Sequence, residues 1–167
     1  MASLDVFRDL INYTYWGRDR ILRAADSLTP EQRSAAIWLD HGSILSTLVH
    51  QLSSEVLIRQ RCEGSNPPRP LDETDVPTYD ALKQLWLDQE AALRHLVDGL
   101  SGEDLERPVV YSNRAGVRHS EPLWQLLFQI VNHSTQHRSE VALALTQAGA
   151  SPGVLDYLAY LWERDAG

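Results

Sequence analysis

Two histidines four residues apart, His133 and His137, sit in a stretch whose apolar residues repeat with helical spacing. On a helix that separation puts both side chains on one face, with Cβ atoms roughly 6 Å apart. Two imidazoles so placed can reach one metal ion at about 2.0–2.1 Å from each nitrogen. At about 100° per residue, Leu123, Leu127, Ile130, Val141 and Leu145 form a buried stripe, with His137 inside it and His133 on its flank. Polar rings aimed at a core must be satisfied, since an unpaired buried polar group costs about 1–3 kcal/mol. Hydrogen bonds to neighbours would do this, and so would a shared metal; the spacing alone does not choose.

A metal needs at least a third protein ligand. His50, in Leu48-Val49-His50-Gln51-Leu52, projects away from the Ile44, Leu48, Leu52 stripe of its own helix. It shares a face with Ser43, Ser46, Ser54 and Leu57, which is either open to solvent or the small-residue wall of a pocket. His41, His95 and His119 read as surface or capping residues. Cys62 lies roughly 18 Å along the helix from His50, too far to be a ligand. Thr14 and Arg18 occupy the buried stripe of the first helix, beside Ile11 and Ile21. A buried Arg is almost always paired. Arg18 therefore forms an internal ion pair, for example with Glu55 or Asp156, or turns its bidentate fork on a substrate carboxylate. Glu140, one turn beyond His137, would orient a ligand or act as a general base.

Helices must position these groups. The apolar pattern predicts long helices over residues 4–27, 43–61, 79–100 and 120–148. Ser3 and Thr78 are the expected N-caps of the first and third. Thr29-Pro30-Glu31-Gln32 has the form of a capping box opening one short turn. Val109-Val110-Tyr111 and Val117-Arg118-His119 flank a turn at Gly116 and predict a small hairpin. Ser120-Glu121-Pro122 is expected to start the fourth helix, Gly149 to end it, and Ser151-Pro152 to open a short last helix to about residue 163. The fold class is all-α: a four-helix bundle with one hairpin, over a single domain at residues 1–167.

Composition narrows the function. The chain has 167 residues, with 15 Lys and Arg against 23 Asp and Glu, a net charge of −8. An acidic domain lacks the clustered cations that bind nucleic acid or an anionic membrane. No apolar stretch approaches the ~20 residues that span a bilayer, and the N-terminus has no secretory pattern. One cysteine permits no internal disulfide. A cytoplasmic protein is expected.

The segment Asn132-His133-Ser134-Thr135-Gln136-His137-Arg138-Ser139-Glu140, the break at Gly149 and Pro152, then Asp156-Tyr157, resembles the DinB/YfiT-like family of metalloenzymes. His50 after its Leu-rich turn and Tyr13-Thr14-Tyr15-Trp16 in the first helix are similar to that family's other signatures. The likeness runs through nearly the whole chain in order. This chain departs from the family at Gln136, where histidine is frequent, at Thr14, where Asn is frequent, and at Ser139-Glu140, where Gly-Gln is frequent. The resemblance implies a four-helix bundle, often a homodimer, with His50, His133 and His137 binding one divalent ion: Zn, Ni, Fe, Mn or Co. It also implies an activity, the transfer of a low-molecular-weight thiol to a small electrophile. A metal-dependent hydrolase using activated water and a non-enzymatic metal-binding stress protein are the alternatives. Despite its label, the family is unrelated to the DNA polymerase of the same name.

Overall fold

The computed structural model of the chain describes residues 3–166. Among them, six α-helices and one two-stranded antiparallel sheet follow in the order α1 (Leu4–Asp26), α2 (Pro30–Ser34), α3 (Ile44–Cys62), α4 (Tyr79–Asp98), β1 (Pro108–Ser112), β2 (Arg118–Pro122), α5 (Leu123–Gln147) and α6 (Tyr157–Ala166). A short 3-10 turn, Glu103–Glu106, precedes β1. The long helices start where hydroxyls can satisfy orphan N–H groups. Ser3 Oγ accepts from Asp5 N–H at 3.2 Å, and Ser43 and Thr78 do the same for Ser46 and Ala81. Thr29 and Gln32 close the predicted capping box. No helix among the described residues is long and apolar enough to cross a membrane.

Two boundaries differ from the sequence expectation. Residues 120–122 lie in a strand, not in the first turn of α5. Ser120 and Glu121 pair with Val110 and Val109, and Leu123 N–H donates to Arg107 O at 2.9 Å. Backbone that finds a ladder partner has no need of a helical one. The last helix opens at Tyr157, six residues later than expected. Gly149 and Gly153 take φ of +80° and +78°, and Tyr13 Oη pins the intervening chain by donating to Leu155 O at 2.8 Å.

The helices α1, α3, α4 and α5 form a four-helix bundle. Its centre holds Leu48, Leu52, Leu82, Trp86, Leu93, Leu123, Leu127 and Leu145, all fully buried. Into this apolar centre α3 sends a carboxylate. Glu55 is 1% exposed and accepts hydrogen bonds from Trp86 Nε1 of α4 at 3.1 Å and Ser134 Oγ of α5 at 3.0 Å, with Tyr15 Oη of α1 at 3.5 Å. Another face of α1 meets Arg138, 2% exposed, whose guanidinium sits 4.6 Å from the Tyr13 ring centroid. A Cβ at Gly17 would come within 2.8 Å of Arg138 Cδ, so only glycine lets α1 settle onto α5 there.

Arg18 is buried as expected but serves the fold. Its Nη2 lies 2.5 Å from Glu90 Oε2 of α4 and 2.7 Å from Asp19 Oδ1. Neither Glu55 nor Asp156 is its partner, and the substrate-carboxylate reading of Arg18 gives way to an ion pair between α1 and α4.

Two outcomes follow from these contacts. Burial raises the pKa of Glu55 above its ordinary 4.5, against the pull of Trp86 and Ser134. The protonated form is thus favoured in the folded chain. That contribution is fully present below the unfolded pKa and is lost as pH rises through the folded one. Glu55→Gln, which keeps an acceptor oxygen, should match the wild type near the acid end and gain on it as pH rises beyond the ordinary carboxyl range. Urea unfolding at a series of pH values measures it. Arg18→Met should cost about 1–3 kcal/mol in the same assay, below the ~3–5 kcal/mol of a wholly buried broken pair, since Glu90 retains Arg94 at 2.8 Å. Its metal content should not change.

Candidate metal centre

α3 and α5 pack along their length, and the seam between them carries the histidines. His50 comes from α3, and His133 and His137 from α5. The three ring centroids are 5.0 Å (His50 to His133), 4.8 Å (His50 to His137) and 4.4 Å (His133 to His137) apart. His50 Nε2 is 3.1 Å from His133 Nε2. Two imidazole nitrogens on one ion, each at about 2.0–2.1 Å, would lie roughly 3 Å apart. The outward wheel position of His50 is resolved by its surroundings: with Ser53, Ser54 and Leu57 it forms a cavity wall.

A fourth ring joins them. His41, from the loop between α2 and α3, stacks on His50 with centroids 3.7 Å apart and planes 20° from parallel. One nitrogen from each of His41, His50 and His137 lies within 4.8 Å of the others, so these three could hold a metal ion. The surface reading of His41 is therefore overturned. No periodicity marks a loop residue, so helix spacing could not have found it. His95 stands in the last turn of α4, and His119 is paired across the hairpin with Tyr111.

The chemistry of the donors fits a cation. Desolvation first, then the neighbouring histidines, lower His50 and His133 to about 4, and desolvation lowers His41. The rings are thus neutral near pH 7, with lone pairs available. His133 Nδ1 is buried and has no hydrogen-bond partner among the described residues. His137 Nδ1 donates to Glu140 Oε2 at 2.7 Å, which leaves Nε2 as the free lone pair. This contact makes Glu140 an orienting group for His137; the general-base reading has no comparable contact in its support.

Two cavities flank the cluster. One, of about 750 Å³, is bounded by His41 and His50, by Arg61 at the end of α3, and by Asn113, Arg114 and Ala115 at the hairpin tip. The other, of about 560 Å³, is bounded by His133, Gln125, Gln129, Tyr111 and Glu121. Ser54, Leu57 and Arg61 line both. Thr14 and Arg18 line neither. Thr14 Oγ1 is spent on Leu10 O at 2.8 Å, so the expected substrate-binding pair is not brought to the histidines. Arg61 and Arg114 were not anticipated, because one ends a helix and the other caps a turn. Cys62 is buried, and desolvation pushes its thiol up to about 12, so it is no thiolate nucleophile at neutral pH.

Three comparisons bear on kinship. Protein DinB of Bacillus subtilis (strain 168) is 24% identical over 160 residues, 92% of each chain. A stretch of 131 residues is 30% identical to the fatty acid synthase beta subunit hexB of Dothistroma septosporum (strain NZE10 / CBS 128990); it is 75% of this chain, but the match spans only 6% of that much longer protein. The crystal structure of a DinB-like protein from Bacillus cereus ATCC 10987 superposes with a TM-score of 0.54 at 18% identity, over 87% of this chain and 95% of that one, and shows a shared fold. The model of the DinB family matches residues 2–166, essentially the whole chain. The four-helix bundle with histidines on its α3–α5 seam is thus that of a relative, and the chain belongs to the DinB family.

Proposed function

We propose that this chain is a metal-dependent thiol S-transferase, in which His50, His133 and His137 hold one divalent ion. The 3.1 Å approach of two neutral ring nitrogens, beside cavities on both sides, is the observation that carries this reading. Three neutral ligands leave the ion its full charge and open positions, the pattern of a catalytic rather than a structural site. When bound, such an ion stabilises a thiolate over its thiol and so supplies a nucleophile at neutral pH. The residues of the chain do the rest. Glu140 fixes the tautomer of His137. Leu57 forms an apolar wall between the cavities, which allows a thiol in one and an electrophile in the other. Orientation of two bound molecules is itself worth several orders of magnitude in rate. The two cavities favour a two-substrate transfer over hydrolysis, which needs room for one substrate and water. A homodimer and a cytoplasmic setting belong to the same reading. Zn, Ni, Fe, Mn and Co all suit nitrogen ligands, so the metal is a matter for measurement.

Metal per chain after dialysis should fall sharply in His50→Ala, His133→Ala and His137→Ala. It should persist in His41→Ala. Loss in His41→Ala with retention in His133→Ala would replace the ligand set by His41, His50 and His137. Glu140→Leu should keep the stoichiometry and weaken metal affinity about tenfold or more. Conjugation of a small thiol to a chromogenic electrophile should require metal, stop on chelation and survive Cys62→Ser. Ester cleavage indifferent to added thiol would establish a hydrolase instead.

A further inference from the structure

We infer that Arg61 and Arg114 form a carboxylate-binding subsite in the cavity beside His50, and that the small thiol used there is an acidic one. The second half of this inference rests on the thiol-transfer reading; the first does not.

The chain carries 23 acidic and 15 basic residues, yet the lining of this cavity includes two arginines and no Asp or Glu. Arg59, two residues earlier on α3, has its charge met by Glu63 at 2.6 Å. Arg61 and Arg114 have no carboxylate within 4.0 Å among the described residues. Glu121 acts on Arg61 through space from the second cavity, which Arg61 also lines, without coming within 4.0 Å of it. Arg61 is nevertheless held in place. Its guanidinium lies 4.2 Å from the Tyr111 ring centroid, and Nη2 donates to Ser112 O at 3.3 Å. Its Nε is enclosed by protein without a partner among the described residues, so the terminal guanidinium nitrogens are the donors a ligand could reach.

Arg114 lines the same cavity from the hairpin tip, on a well-braced turn. Asn113 Oδ1 accepts from the N–H groups of Ala115 and Val117, both at 3.0 Å, and Gly116 takes φ +77°. An arginine pair with unused donors recognises a planar carboxylate by paired, charge-assisted hydrogen bonds. The cavity, about 750 Å³, is ample for a small molecule with a carboxylate at one end and sulfur at the other.

Succinate and its neutral diamide, titrated calorimetrically into the full-length protein with zinc present at low salt, decide the subsite. Succinate should bind at least about tenfold tighter than the diamide. Arg61→Met and Arg114→Met should each remove most of that preference. Arg114 is exposed and makes no hydrogen bond among the described residues, so Arg114→Met tests the subsite even if loss of Arg61 unsettles the hairpin. Equal binding of the two probes, or succinate binding unaltered in both variants, overturns the subsite. In the cobalt-loaded protein, mercaptosuccinate should produce a sulfur-to-cobalt band at lower concentration than 2-mercaptoethanol, and only the former should depend on Arg114. A carboxylate preference without a sulfur band for either thiol would sink the acidic-thiol half and the transfer reading, and leave the carboxylate subsite standing.

Discussion

One buried carboxylate holds the arrangement together. Glu55 is taken out of water at a cost that only hydrogen bonds can offset, and they come from α4 and α5, with Tyr15 of α1 close by. The apolar core would tolerate small slides of one helix past another. A carboxylate that must find Trp86 and Ser134 together does not. Ser134 directly follows His133, and Glu55 lies a little over one turn beyond His50. The bond that satisfies Glu55 therefore also fixes the register in which the α3 histidine meets those of α5.

What could be read from sequence was whatever has a period or a local capping chemistry. The caps at Ser3, Thr29 and Thr78, the four long helices and the hairpin all rest on interactions within a few residues. The His133 and His137 spacing is of that kind too. The failures share a cause. The partner of Arg18 is on another helix, so the chain could show that it is buried but not that it meets Glu90. His50 looks outward on an isolated wheel, because a wheel assumes one buried stripe, and α3 has a second neighbour across a cavity. His41, Arg61 and Arg114 sit in a loop, at a helix end and on a hairpin tip, where nothing repeats. Residues 120–122 carry helix-start chemistry and form strand, since cross-strand partners at Val109 and Val110 were close enough to take their backbone.

Charge is distributed with similar economy. The surface is acidic, and guanidinium groups such as those of Arg18, Arg59 and Arg94 are matched by carboxylates. Arg138 is matched by a ring, a carbonyl and a hydroxyl instead of a carboxylate. Around the histidines the balance changes: neutral rings, few carboxylates and two arginines with donors to spare. Rings held neutral, as at His50 and His133, accept a cation without first expelling protons, which favours binding near neutral pH.

The wall shared by the two cavities has a consequence for the order of events. Ser54, Leu57 and Arg61 border both cavities, so guests in the two would be neighbours. If the proposed thiol and electrophile occupy the two cavities together, they define a ternary complex. Cys62, buried and held as a thiol, is not placed to carry a group between separate visits. A transfer on this scaffold would then be sequential, with both substrates aboard before either product departs, and double-reciprocal rate plots would intersect rather than run parallel.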